Sequence, residues 1–463
     1  MERDMTKGSP MKLILWFTVP LLIGNVFQQL YNMVDTIIVG RYVGVQALAA
    51  VGSTGTIMFL IQGFMLGLTA GFTVLTAQRF GAGDVEGMKK TVASAYVLSI
   101  VITIVITALS MIGMRPLLEL MNTPEDIIQD AYDYIIVICA GTGAVVLYNL
   151  LASIMRAVGD SKTPLYFLII SAVLNIFLDL LFIIVFYMGV KGAAYATILS
   201  QGIAGVLCLI YMLKKFPNLR IHREHWRLDK NCVRYQISLG LPMALQFSIT
   251  AVGAIILQSA LNVFGSTVVA AYTAANKMEQ LVVQALPSLG VTVSTFCAQN
   301  LGAGHIPRIK EGIKKSVMLA FIFGFFAMAT MLLAGNWLVR LFITDPTDEI
   351  LHYAGIYLVA NGIFEWILGL LFVYRNALQG MGRGVVPLIA GGCELFARVV
   401  VAFVGKGIGS YMVICLASPF AWLCATIPLM FAYYRLMKDF MKRWNERLAE
   451  REQEQLLADA DSC

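Results

Sequence analysis

Residues 77–83 read Ala77-Gln78-Arg79-Phe80-Gly81-Ala82-Gly83, and residues 298–304 read Ala298-Gln299-Asn300-Leu301-Gly302-Ala303-Gly304. The Ala-Gln-x-x-Gly-Ala-Gly pattern recurs at an offset of 221. Pro20 matches Pro242 and Pro124 matches Pro346 at an offset of 222. Gly159 and Pro164 match Gly382 and Pro387 at 223. One slowly drifting offset through four places marks an internal duplication. The spacing divides the chain into a first half (1–213), a basic connector (214–234), a second half (235–434) and a tail (435–463). The three glycine-rich residues that end each motif read as a tight turn leaving a helix, since they lack the spacing of a phosphate-binding loop.

The chain has 463 residues, of which 59% are hydrophobic and 13% charged, and its mean hydropathy is +0.77. A soluble protein has about 25% charged residues, needed to cover its surface. The composition therefore excludes a soluble enzyme, a nucleic-acid binder and a disordered chain. Apolar runs of about 20 residues are helix-length, too long for strands of a membrane barrel. Twelve such runs are predicted, six per half, among them Ala131–Met155, Val268–Phe296, Ser316–Ile343 and Ile350–Tyr374. The expected fold class is an all-α integral membrane protein with twelve transmembrane helices in two pseudo-symmetric six-helix lobes. The first run, Leu13–Val39, is too long and too often interrupted by polar residues for a cleaved signal peptide.

Of the 34 Lys and Arg, five lie in one set of loops (Arg41, Arg115, Lys191, Arg340 and Lys406) and two inside predicted spans (Lys277 and Arg398). The remaining 27 fall in the alternate loops and both terminal segments. The positive-inside rule then places both termini in the cytoplasm of a multi-pass plasma-membrane protein. The eight cysteines are scattered without a CxxC pair and read as small apolar residues. His222 and His225 are expected in a solvated loop of the connector. The tail from Arg435 places Leu436, Met437, Phe440, Met441, Trp444 and Leu448 at helical spacing among basic residues, so an amphipathic helix on the inner surface is expected.

Two parallel six-span repeats suit a transporter whose halves rock about their interface. No ATP-binding loop accompanies them, so an ion gradient is the expected driving force. An ionisable side chain inside the bilayer costs about 2.5–3.5 kcal/mol on insertion scales and is a functional hypothesis by default. The acids here are Asp35, Asp179, Glu279, Glu365 and Glu394. Asn175 and Asp179 are one turn apart on the fifth span, and by helix rise they lie with Thr197 on the sixth and Asp35 on the first in the outer half of the first bundle, where they converge if those three spans pack together. Two carboxylates, an amide oxygen and a hydroxyl suit a hard cation such as Na⁺. The same pair of carboxylates could instead share one proton. Pro20 can bend the first span, which carries Asp35. In the second half, Glu394 and Arg398 are one turn apart and read as a structural pair that Glu365 joins. No metal beyond a coupling Na⁺, no cofactor and no catalytic constellation is indicated.

The sequence resembles the multidrug and toxic compound extrusion (MATE) family. The likeness lies in Lys7-Gly8-Ser9 with Pro20, Val34-Asp35-Thr36 ending at Gly40, the repeated Ala-Gln-x-x-Gly-Ala-Gly, the Asn175–Asp179 pair, and Gly192-Ala193-Ala194-Tyr195-Ala196-Thr197. It covers the chain up to Tyr434. The resemblance implies a V-shaped pair of lobes that exports organic cations or drugs in exchange for Na⁺ or H⁺. It places the ion-coupling site on Asp35, Asn175, Asp179 and Thr197, with Tyr134 and Asn149 as neighbours. The expected function is thus a secondary antiporter and not an enzyme, with drug and membrane lipid as partners and twelve spans sufficient for a monomer. A flippase for a lipid-linked polyprenyl-phosphate sugar is the alternative; it would want a basic cavity, whereas the buried charges of the first half are acidic.

Overall fold

The computed structural model describes residues 4–121, 123–340 and 347–461. Pro346, Ile343, Cys463 and the first three residues lie outside them. Among the described residues there is no strand. The first lobe contains α1 (Pro10–Tyr42), α2 (Val45–Gly81), α3 (Val85–Leu120), α4 (Ile128–Ala140), α5 (Thr142–Ala157), α6 (Lys162–Leu180) and α7 (Gly189–Lys215). The second contains α8 (Lys230–Leu261), α9 (Ser266–Val282), α10 (Ala285–Gly302), α11 (Ile306–Val339), α12 (Asp348–Gly362), α13 (Glu365–Gly380), α14 (Val385–Ile408), α15 (Tyr411–Cys415) and α16 (Ala417–Asp461).

Nine helices are long and apolar enough to cross a membrane, and three bent pairs bring the count among the described residues to twelve. The pairs are α4–α5, bent by 47°, α9–α10, bent by 42°, and α12–α13, bent by 47°. The sequence predicted each as one straight span. The bends at Gly141 and at Ile363–Phe364 occupy matching places in the repeat. The α9–α10 bend has no partner, because α2 runs unbroken.

Each lobe buries two clusters of apolar side chains, one towards either end. The outer faces stay apolar, with Ile112, Leu333 and Phe326 exposed by 79%, 88% and 70%. Such a surface suits hydrocarbon rather than water. The tail does not start a new helix. α16 runs on from the last span, and Leu436, Met437, Phe440, Met441 and Trp444 pack against the second lobe's core.

The face that carries the N-terminal lead, the connector and the tail is rich in Lys and Arg and is called the basic face below. Among the described residues, the hydrogen bonds between the lobes all fall in the half next to it. There α2 crosses α8 with backbones in contact: a Cβ on Gly71 would lie 2.4 Å from Gly240, and one on Gly67 2.7 Å from Ala244. The duplicated motif makes the tightest crossing. A Cβ on Gly81 would lie 1.9 Å from the Gln299 carbonyl oxygen, and one on Gly302 1.8 Å from that of Gln78. Gly83 and Gly304 then leave the helices at φ +70° and +73°, where a side chain is strained. Two glycines of the motif thus serve lobe contact and chain reversal. Beyond Asn25 on α1 and Gly63 on α2, no hydrogen bond joins the lobes among the described residues, and the space between them opens towards the opposite face.

Candidate functional site

α6 is an apolar helix whose only strongly polar side chains beyond its first turn are Ser171, Asn175 and Asp179. All three fall at four-residue spacing, so they share one face. That face packs against α1 and α7. Asp179 is fully buried and Asn175 is 1% exposed. Asn175 Nδ2 donates to Thr197 Oγ1 on α7 at 3.5 Å, and Thr197 Oγ1 donates to the Ala193 carbonyl at 3.1 Å. Asp35, half-buried on α1, directs its carboxyl group to that of Asp179. The structure therefore brings Asp35, Asn175, Asp179 and Thr197 together.

Four buried acceptors in this group have no hydrogen-bond donor: Asp35 Oδ1, Asn175 Oδ1, and both carboxyl oxygens of Asp179. A buried polar atom without a partner costs ~1–3 kcal/mol, and more if it is charged. Left bare, such a cluster is costly to bury. Directly after Asp179 the helix widens into a π-turn over Leu181–Val185, a distortion common where side chains must be re-aimed.

Tyr134 is 2% exposed on α4 and borders Asp35, Asp179 and Tyr31. Tyr31 and Gln201 complete the rim, and the sequence reading missed both. The available signal was spacing: Tyr31 is one turn from Asp35, and Gln201 one turn from Thr197. Asn149 is half-buried on α5, beyond the bend at Gly141, and hydrogen-bonds to none of the four. Pro20 is buried inside α1, fifteen residues or ~22 Å of helix from Asp35.

The second lobe corrects two expectations. Glu394 accepts from Arg398 Nη2 at 3.0 Å and from Arg375 Nη2 at 2.7 Å, all three buried. Arg375, which the predicted span Ile350–Tyr374 leaves at a helix end among the basic-loop charges, lies inside α13. Glu365 does not join this network. It is the first residue of α13, fully buried, with both carboxyl oxygens unpartnered, and it faces Glu279 near the end of α9. The Tyr357 hydroxyl donates to Glu279 and accepts from Asn276 Nδ2 at 2.8 Å. Two helix breaks meet at this second acid pair. Glu279 is buried, whereas Lys277, two residues earlier, is exposed on the other side of α9.

Of the connector histidines, His222 is exposed as expected and His225 is not. His225 is 1% exposed, and its Nε2 lies 2.8 Å from Glu86 Oε2 at the start of α3. Glu86, Glu224 and His225 place ligand atoms within 4.8 Å of one another. However, His225 Nδ1 accepts the His222 amide N–H at 3.0 Å. That leaves the ring proton on Nε2, where it is spent on Glu86. The group fastens the connector to the first lobe.

The MatE family model matches residues 20–181 and again 242–404, reproducing the duplication from Pro20 and Pro242. The chain is a MATE family transporter. Among curated relatives, the probable multidrug resistance protein YpnP of Bacillus subtilis is 30% identical over 388 residues, covering 83% of this chain and 86% of the relative. An FAD transporter of Shewanella oneidensis is 24% identical, covering 92% and 94%. A crystal structure of MATE in complex with MaL6 superposes with TM-score 0.89 at 23% identity, over 95% of this chain and 99% of that one. This likeness shows the fold: the MATE architecture expected from the sequence is present across nearly the whole chain.

Proposed function

We propose that this MATE transporter is a secondary antiporter that exports drug-like organic compounds, organic cations among them, in exchange for Na⁺ or H⁺. The observation that carries the coupling is the four unpartnered oxygens of Asp35, Asn175 and Asp179, with Thr197 beside them. Oxygen ligands of this kind suit a hard cation, and the facing carboxyl groups suit a shared proton. In this reading the basic face is cytoplasmic in the plasma membrane, and the lobes are closed there and open outside. The ion enters from outside and binds at Asp35 and Asp179. It draws α1 towards α6, and cargo is released as the first lobe changes shape. The lobes then rock, the ion leaves to the cytoplasm, and cargo rebinds. Pro20, which removes one backbone hydrogen bond from α1, supplies the bending point.

A polyprenyl-phosphate flippase is not favoured. The buried guanidinium groups of the second lobe, Arg375 and Arg398, are both engaged by Glu394, and the first lobe's buried charges around the site are acidic. The exposed Lys277 on α9 is, among the described residues, a lone cation rather than the basic cavity a lipid-linked phosphate would want. The test is efflux of a fluorescent organic cation from proteoliposomes, first under a Na⁺ gradient at fixed pH and then under a pH gradient without Na⁺. Efflux driven by either gradient supports the reading and identifies the ion. No efflux under either, with functional reconstitution verified by cargo binding, overturns it.

A further inference from the structure

α9 bears a polar stripe that the coupling site does not use. Thr273, Lys277, Gln280 and Gln284 follow one another at three- and four-residue steps, so they lie along one side of the helix. Thr273, Lys277 and Gln280 are exposed, and Gln284 is half-buried. The stripe continues into α10, where Ser288 Oγ accepts from Asn25 Nδ2 at 2.9 Å and Thr292 Oγ1 accepts from Thr18 Oγ1 at 2.9 Å. Those contacts fix the direction: this side of α9–α10 faces the first lobe. Lys277 lies eleven residues before Ser288, three turns and about 20° of rotation away. The 42° bend between α9 and α10 carries it off the first lobe and leaves it exposed in the space between the lobes.

The opposing wall matches. On α1, Gln28, Asn32 and Thr36 are exposed and follow Asn25 at three- and four-residue steps. Two polar stripes therefore start at the Asn25–Ser288 contact and diverge towards the open face. Lys277 is eleven residues from Ser266 at the start of α9, or ~16 Å, about half of a hydrocarbon core of ~30 Å. An ammonium at that depth is tolerated only where it faces water or a partner.

Along α1, α2, α8, α9 and α10, the charged residues away from helix ends are Asp35, Lys277 and Glu279. Asp35 turns to Asp179, and Glu279 is buried against Tyr357. Lys277 is left as the exposed charge of the cleft among the described residues, with amides and hydroxyls about it.

We propose that the cleft binds cargo bearing an anionic group, a carboxylate, sulfonate or phosphate, and that Lys277 takes that group while the amide stripes of α1 and α9 hold its polar surroundings. The proposal deepens the export reading, on which its word "cargo" rests: the favoured substrates are zwitterions and organic anions, with simple cations held less well. Ammonium-to-carboxylate attraction in a part-hydrated cleft supplies the selectivity, and the stem of Lys277 lets the head follow cargo of different shapes.

The test uses two dyes that share one xanthene cation: rhodamine 110, which keeps its free carboxylate, and rhodamine 123, its methyl ester. Equilibrium binding to the purified full chain in nanodiscs is followed by fluorescence anisotropy, without any gradient, so failure of ion-driven export would leave this result untouched. The expected result is tighter binding of the free acid, reduced roughly fivefold in Lys277→Met, as for a part-exposed ion pair of ~1 kcal/mol. Lys277→Arg should restore it, and the ester should be unaffected by either change. A second measurement guards against a folding defect: Lys277→Cys should react from the open face with a water-soluble anionic methanethiosulfonate. Equal binding of acid and ester by the wild type, unchanged acid binding in Lys277→Met, no binding of the acid at all, or an unreactive Lys277→Cys would each overturn the proposal.

Discussion

Gln78 and Gln299, repeat-mates on α2 and α10, make the same bond in opposite directions across the lobe interface. Gln299 Nε2 donates to the Ala157 carbonyl at the end of α5 at 2.8 Å, and Gln78 Nε2 donates to the Gly380 carbonyl at the end of α13 at 3.1 Å. Ala157 and Gly380 are themselves 223 residues apart, so duplication has built a two-fold clasp. Gln299 Oε1 also accepts the Met5 amide N–H at 2.9 Å, and Met5 inserts into the second lobe's core.

If this clasp holds the basic face shut, Gln78→Ala with Gln299→Ala should loosen it. Each lost hydrogen bond is worth ~1 kcal/mol. Spin labels at the exposed positions Lys90 and Lys314 should then show a new population at longer separation. An unchanged distance distribution would remove the clasp from the closing mechanism. Gly302→Leu should act more severely, because its Cβ alone would collide with the Gln78 carbonyl.

The Arg375–Glu394–Arg398 triad sets a stability prediction. Removing one partner of a buried ion pair typically costs ~3–5 kcal/mol. With Arg398 still paired, Arg375→Met should cost about half of that, and Arg375→Met with Arg398→Met considerably more. Thermal unfolding in detergent checks the order. Adding Glu394→Gln to the double variant should recover much of the loss.

Glu365 should behave in the opposite sense. Its unpartnered carboxyl group faces Glu279, so Glu365→Gln removes a buried like-charge conflict. Folded protein should be retained with unfolding temperature unchanged or higher by a few degrees, ~1 kcal/mol. A large destabilisation would contradict the like-charge relation of Glu365 to Glu279.

His225→Ala should free the connector. Limited trypsin digestion should cleave at Arg220, Arg223 or Arg227 several times faster than in the wild type, since the Glu86 bond and the burial of His225 are both lost. His225→Gln, which keeps a donor, should fall between the two.

Much of this architecture is legible in the sequence because a membrane imposes simple rules. Apolar length fixes the spans, and duplication fixes their pairing. Asn175 and Asp179 point to one face by spacing alone, and their meeting with Asp35 and Thr197 follows once α1, α6 and α7 pack. The helix breaks are different. Pro287 removes the helical bond to the Val283 carbonyl and so marks the α9–α10 bend, but hydropathy alone is blind to direction within a span. Glu279 and Glu365 meet because two bends converge, which is a tertiary fact. Arg375 misreads as a loop charge because its span continues past it to Gly380, and its partner is nineteen residues away on α14.

In the proposed cycle the Asp35–Asp179 group couples cation entry to export. Its most direct measurement is ion-driven efflux from proteoliposomes containing wild type or Asp35→Asn with Asp179→Asn, matched for folding and for cargo binding. The double variant should bind cargo yet lose gradient-driven efflux, by at least about tenfold, equivalent to ~1.4 kcal/mol. Full gradient-driven efflux by the folded double variant would contradict it.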